Sequence, residues 1–306
     1  MTVRSQNSHT EKRKAQMEMQ NKEIAETLRH IKNKFLVMSG KGGVGKSSVA
    51  AYLSVALAKK GFKVGLMDVD LHGPSIPRIL GLKGNLRHGG HEKKMLPVRY
   101  LPNMEVISIE TLMGENKDAA TIWRGPLKIG AIRQFISDIE WMDLDYLIID
   151  SPPGTGDEPL TVAQTITDAK ALIVTTPQEV SLADVRKSIN FCRQVKMEIM
   201  GLVENMSGLK CPYCGETIDV FKTRGGEATA RRENLRLLAT LPLETEVVKK
   251  GDVGDLSLLN NEDLLITREF NKMVDEIVKL TDPRKFPSNQ NNKNYFWLST
   301  KPTSLT

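Results

Sequence analysis

The stretch "KFLVMSGKGGVGKSSVAAYLSVALAKKG", residues 34–61, decides the fold. It opens on a short, continuously apolar run of strand length and closes on a longer run with apolar residues at helical spacing. Between them "GKGGVGKS", Gly40 to Ser47, fits G-x-x-x-x-G-K-[ST], and a strand before with a helix after is the setting that gives this pattern its meaning. Gly40, Gly42, Gly43 and Gly45 let the backbone curl so that successive N–H groups converge on phosphate oxygens. The helix starting near Lys46 adds the positive end of its dipole. Lys46 is suited to neutralise β- and γ-phosphates, and the Ser47 hydroxyl to ligate Mg²⁺. Val44 and Ser48 complete the segment expected to hold ATP.

Outward from this loop the pattern repeats. "KVGLMD" (63–68), "MEVISI" (104–109), "DYLIID" (145–150), "KALIVTT" (170–176), "EIMGLVENM" (198–206) and "LRLLATLP" (235–242) read as strands. Most are continuously apolar rather than alternating, which marks strands covered on both faces of a parallel sheet. Helical stretches lie between them. The first ends at Gly61, a C-cap signal, and "SLADVRKSINFCRQV" opens at Ser181 with Asp184 three residues on, close to a capping box. The expected fold is α/β, a doubly wound and mainly parallel sheet with helices on both faces.

The chain has 306 residues, 40% hydrophobic and 26% charged, enough for one large α/β domain. Residues 1–33 form an expected N-terminal helical extension whose alternating charges suit a solvated helix and carry much of the net charge of +6. Residues 34–282 form the expected nucleotide-binding domain, ending in a helix over 261–280. From Pro283 the chain turns polar, and residues 283–306, with Tyr295, Phe296 and Trp297, read as a loose tail. Residues 82–97 read as a flexible loop, in which His88 and His91 are more simply polar than ligating. There is no apolar h-region at the N-terminus and no run long enough to span a bilayer. Three cysteines make no disulfide framework. The expectation is a cytoplasmic protein with no membrane and no nucleic-acid partner.

Three acids are expected at the phosphate edge. Asp68 and Asp70 are two apart, so on a strand they would share one face at its carboxyl end. One can hold a water of the Mg²⁺ shell and the other can orient an attacking water. Asp150 ends another strand as a Walker B-type carboxylate. After it "SPPGTGDEP" combines prolines that stop the strand with glycines that let the loop change shape, the composition of a switch sensitive to the γ-phosphate.

The second lysine of the loop, Lys41, is unusual, and "GKGGVGKS" resembles the deviant Walker A loop of MinD, the ParA partition ATPases, the arsenite pump ATPase and the nitrogenase iron protein. That resemblance implies two subunits facing each other across two ATP molecules, with Lys41 reaching the partner's phosphate as a catalytic cation beside Lys46, and Asp70 as the acid that orients water. Further motifs narrow the likeness. "DVDLHGPS", "DSPPGTGDEPLTVAQ", "GLVENMSGLKCPYCGE" and "LPLETEVVKKGDVG" are similar to those of the Mrp family of ATP-dependent iron–sulfur cluster carriers, over roughly residues 34–255. By this resemblance Asn205 and Pro242 lie near the adenine.

"CPYC", residues 211–214, is half of a metal site: two thiolates, where tetrahedral sites want four ligands. Pro212 and Gly215 shape a tight knuckle. The third cysteine, Cys192, sits with Ile189 and Val195 at helical spacing and reads as core. If two chains pair with two-fold symmetry, Cys211 and Cys214 of each supply four thiolates, which suit a [4Fe–4S] cluster and equally suit Zn²⁺. The resemblance implies a homodimer that holds a labile cluster between subunits, takes it from an assembly scaffold and passes it to apo-proteins, with slow ATP hydrolysis as the switch. The alternative is a spatial-organising ATPase like MinD or ParA with a structural zinc at the same cysteines. An electron donor like the nitrogenase iron protein takes its cluster cysteines from two separate segments and fits less well.

Overall fold

The computed structural model describes residues 2–71, 73–83, 86–89, 94–113, 125–211, 214–220 and 224–282. The main sheet has eight strands: β1 (Ile31–Ser39), β2 (Val64–Asp68), β3 (Val98–Leu101), β4 (Met104–Ser108), β5 (Leu144–Asp150), β6 (Lys170–Thr175), β7 (Ile199–Glu204) and β8 (Leu237–Thr240). Their spatial order is β8-β7-β6-β1-β5-β2-β4-β3. All neighbours pair in parallel except β3 with β4. After β5 the chain crosses to the other side of β1, so the carboxyl end of β1 opens on a crevice between outgoing connections.

The apolar run of β1 divides by parity. Phe35 and Val37 enter one core, with Leu53 of helix α2 (Lys46–Lys59) and Phe270 of the C-terminal helix (Leu265–Thr281). Leu36 and Met38 enter the other, with Ile132 of helix α3 (Gly125–Ser137) and Ile189 of a helix spanning Glu179–Gln194. Alternate side chains point to opposite faces, so a strand covered on both sides must be apolar throughout. Cys192 is fully buried in the second core against the Met38 sulfur, and burial pushes its thiol up to about 12.

Several details depart from the sequence reading. Strand β3 was not foreseen; it is a short, half-exposed antiparallel edge and carries little apolar signal. Within 82–97, Arg87–His88 and Met95–Leu96 pair as a small ribbon, and Met95 bonds the backbone at Asp138 and Glu140. His91 and the tail from Pro283, with its three aromatic residues, lie outside the described residues. Ser181 is no cap: its helix begins at Glu179 after Gln178, and its hydroxyl pairs with Thr176 Oγ1 at 2.7 Å. The last helix starts at Leu265, later than 261, because Asn261 Oδ1 accepts the Asp263 N–H in a turn. Gly61 does follow the end of α2, with φ of 87°. The N-terminal helix, Thr2–Arg29, is not wholly solvated. Its last turns bury Ile24, while Gln20 and Asn21 accept hydrogen bonds from Arg133 of α3.

Candidate functional site

The loop after β1 is built by its glycines. Gly43 and Gly45 take φ of 79° and 78°, a region that costs other residues energy. At Gly45 a Cβ would also lie 2.3 Å from the Asn205 amide nitrogen. That amide donates to the Val44 carbonyl at 2.9 Å, tying the end of β7 to the phosphate loop. Ser39 Oγ donates to the Lys41 carbonyl, and the Gly154 N–H of the switch segment donates to the Ser39 carbonyl at 2.8 Å.

Strand register brings the acids to the loop. Asp68 lies opposite Asp150 on one side and Ser108 on the other, at the carboxyl edge. Both carboxyls are fully buried. Lys46 Nζ bonds Asp150 Oδ1 and lies 3.1 Å from Ser47 Oγ, while Asp150 Oδ2 has no hydrogen-bond partner. Ser108 Oγ donates to Asp68 Oδ2 at 3.1 Å. Desolvation pushes the Asp68 carboxyl well above the usual carboxylate range, and the neighbouring Asp150 adds to it. Desolvation also raises Asp150, against the pull of Lys46. Two acids and one lysine, out of water and with an oxygen unpartnered, form a site short of positive charge.

Asp70 does not share a strand face with Asp68. Strand β2 ends at Asp68, and the chain turns because the Asp70 N–H bonds Asp68 Oδ1 and the Gly73 N–H bonds Asp70 Oδ1. Such local side-chain bonds compete with continuation of the strand. Asp70 is half-buried just past the strand end, its N–H still bonded to Asp68 and its charge near enough to raise both buried carboxyls. Lys41 is also half-buried; its ammonium donates to Gln178 Oε1 at 3.2 Å, away from the acids that hold Lys46. The two lysines of one loop therefore face different directions.

Beside the loop lies a cavity of about 160 Å³ lined by Gly45, Ser48, Asn205, Pro242, Leu243 and Phe270 among others. Asn205 and Pro242 thus share a wall within reach of the phosphate loop. An amide can both donate to and accept from a purine edge.

The cysteine knuckle sits on a ribbon of Leu209–Lys210 and Thr217–Ile218. Cys211 N–H donates to the Glu216 carbonyl at 2.8 Å, Gly215 N–H to the Cys211 carbonyl at 2.9 Å, and Gly215 has φ of 76°. Cys211 is half-buried and Cys214 exposed; Pro212 and Tyr213 lie outside the described residues. Among the described residues, no three histidine, cysteine or acidic side chains gather as a metal site. Sequence reasoning missed Glu204, fully buried at the end of β7, and the ion pair of Lys128 in α3 with Glu158 of the switch segment, at 2.8 Å. A charged residue closing an apolar run, "IMGLVE", was the available signal for Glu204.

Residues 30–278 match the family model of the ParA group described as NUBPL iron-transfer P-loop NTPase. The iron–sulfur cluster carrier protein of Methanocaldococcus jannaschii is 43% identical over 267 residues, 87% of this chain and 91% of its own length. The cytosolic Fe–S cluster assembly factor CFD1 of Eremothecium gossypii is 46% identical over 232 residues, 73% of this chain and 82% of its own. A nucleotide-binding protein of Archaeoglobus fulgidus, solved with ADP, superposes with a TM-score of 0.70 at 39% identity, covering 82% of this chain and 96% of that one. The cell-division ATPase MinD of Pyrococcus furiosus, at 23% identity and a TM-score of 0.57 over 81% of this chain and 99% of its own, shares the fold. The chain belongs to the NUBPL iron-transfer P-loop NTPases.

Proposed function

We propose that this chain is an ATP-hydrolysing iron–sulfur cluster carrier that works as a homodimer and hands a [4Fe–4S] cluster to apo-proteins. The observation that carries the reading is the knuckle: two cysteines on one turn, Cys214 exposed and Cys211 half-buried, with no third metal ligand gathered around them among the described residues. A two-fold pairing of chains completes four thiolates without unfolding either. A cluster held between subunits is cargo. It leaves by thiolate exchange: recipient thiols lose protons as they take up iron, the Cys211 and Cys214 thiolates regain them, and the cluster keeps its electrons.

At the nucleotide edge, the loop from Gly40 to Ser48 would cradle the phosphates, with Asn205 and Pro242 against the base. Ser47 and the buried carboxyls of Asp68 and Asp150 fit Mg²⁺, and the unpartnered Asp150 Oδ2 supports this. Mg²⁺ would neutralise phosphate charge there. Lys46 would shift from its own acid toward the β- and γ-phosphates, Asp70 would orient water, and Lys41 would reach across to the partner's nucleotide. Hydrolysis would be slow and would act as a switch. The carrier would work in the cytoplasm. No helix among the described residues is long and apolar enough to cross a membrane. Zinc at the knuckle is a competing occupant, since thiolates take it readily.

The test is anaerobic reconstitution followed by transfer to an apo-enzyme, with and without ATP. Restored recipient activity that depends on ATP supports the carrier. Stoichiometric zinc that no recipient can remove, with no iron or sulfide taken up, sinks it in favour of a structural metal.

A further inference from the structure

Both cysteines lie on an excursion of the chain that leaves the sheet after Glu204 and ends at the helix Gly225–Glu233, before the next strand at Leu237. One buried carboxylate touches both ends. Glu204 Oε1 accepts Ser207 Oγ at 2.5 Å on the outgoing side and Arg224 N–H at 3.3 Å on the returning side, and Oε2 accepts the Gly226 N–H. Gly226 must be glycine for this: a Cβ there would lie 2.8 Å from Oε2. The backbone of Glu204 is itself fixed in the sheet, since its carbonyl accepts Leu241 N–H at 2.7 Å and the next residue, Asn205, donates to Thr175 O. Met206 and Arg224 hold φ of 57° and 64°, a left-handed conformation unfavourable for both, so the base of the excursion is strained at each end.

The same base is bonded to the nucleotide pocket. Asn205 reaches the Val44 carbonyl of the phosphate loop, and Leu243 of the cavity wall donates to the Gly208 carbonyl at 2.8 Å. On the returning side Gly225 lies so close to the Pro177 carbonyl that a Cβ would be 2.5 Å away, and the adjacent Gln178 accepts the Lys41 ammonium. A long surface excursion would ordinarily absorb such movements in its own slack. We propose that Glu204 is the positioning residue that removes this slack, clamping both ends of the cysteine excursion so that nucleotide at the Val44–Asn205 and Lys41–Gln178 contacts resets the geometry of the Cys211–Cys214 knuckle. The inference deepens the carrier reading and rests on it for the knuckle's role, but the clamp itself is tested without any cluster.

The experiment uses the reduced full chain, free of metal. Alkylation rates of Cys211 and Cys214 are read by peptide mass spectrometry, with buried Cys192 as the internal control, in the absence of nucleotide and with Mg²⁺ and a non-hydrolysable ATP analogue. In the parent protein the analogue changes the knuckle rates by about fivefold or more, the size of an ordinary coupling between sites. Glu204→Gln keeps nucleotide affinity within about twofold while the rate ratio falls to about one, because the clamp and not the binding site is broken. Glu204→Asp restores part of the ratio. If Glu204→Gln does not fold, Ser207→Ala, which removes one leg and buries no new donor, decides: the ratio must fall to about half or less of the parental value. A parent with no nucleotide response, or a folded clamp variant with the full response, overturns the proposal. A parent whose thiols respond but which takes up no cluster overturns the carrier reading and leaves the clamp standing.

Discussion

The phosphate edge and the cysteine knuckle are built to opposite plans. At the edge, Lys46, Asp68 and Asp150 are buried, brought together by strand register, and bonded within one chain. At the knuckle, Cys214 is exposed, the ribbon is two residues long on each side, and the bonds in hand are backbone turns. The first holds its groups within one chain; the second presents two cysteines with no third ligand gathered beside them among the described residues. A site that must release its contents benefits from the second plan, since an exposed, shared ligand set opens when the chains part, whereas a buried one requires unfolding. In the proposed cycle the rigid region would grip nucleotide, and the effect would have to travel to the loose one.

The contrast can be broken at either end, and the largest effect is expected at the knuckle. Cys211→Ala or Cys214→Ala removes ligands from both chains of a symmetric pair, so reconstituted cluster absorbance and sulfide should vanish, while nucleotide affinity stays within about twofold because the two regions share no ligand. Iron and sulfide at parental levels in either variant would show that the ligands lie elsewhere. At the rigid end, Lys46→Ala and Lys41→Ala should each lower ATP hydrolysis by about 10²–10³-fold, as the loss of one transition-state cation does. They should differ in kind. Lys46→Ala also loses affinity and leaves two buried acids without their cation, whereas Lys41→Ala keeps affinity, because Lys41 points away from its own acids. Equal losses of affinity in both variants would remove the distinction between the lysines.

Asn205→Ala should weaken nucleotide binding about tenfold, the worth of one buried amide pairing, and blunt the nucleotide response of the knuckle while leaving its cysteines in place. An unchanged Kd by calorimetry would take Asn205 off the base. The smallest effect belongs to a buried acid of β4 that bonds to neither region. Glu105 accepts the Met142 N–H at 3.0 Å, and desolvation raises its carboxyl above the ordinary value of 4.5. A raised acid binds its proton more tightly when folded, so its stabilising share is complete below pH 4.5 and lost as pH climbs through the raised value. Glu105→Gln should therefore flatten the fall of stability between pH 4.5 and the raised value and change stability at neutral pH by about 1 kcal/mol or less. Denaturant titrations across pH check this. A large loss of function in that variant would mean that the edge is less self-contained than its geometry implies.

The rigid region was the more legible one, for a physical reason. Strands covered on both faces must be apolar throughout, so "FLVM" and "YLIID" announce themselves, and the glycine loop must follow β1 for its N–H groups to face phosphate. Asp150 was readable because it ends such a run. Asp70 was misplaced because the bonds that turn the chain after Asp68 depend on side-chain rotamers, which no spacing encodes. Strand β3 and the two-residue ribbons are too short for periodicity to register. The N-terminal helix looked solvated because one buried position, Ile24, is a small signal in a charged stretch. Glu204 was passed over since an acid after an apolar strand usually reads as the strand's end. Its three bonds to residues up to twenty-two positions ahead exist only once the excursion closes.

A metal site completed by two chains is tested most directly by native mass measurement of anaerobically reconstituted protein, with iron and sulfide counted for each species. About four irons and as many sulfides should travel with a species of two chains, and dilution to single chains should release them. A single chain that keeps its full metal complement at high dilution would contradict the shared site.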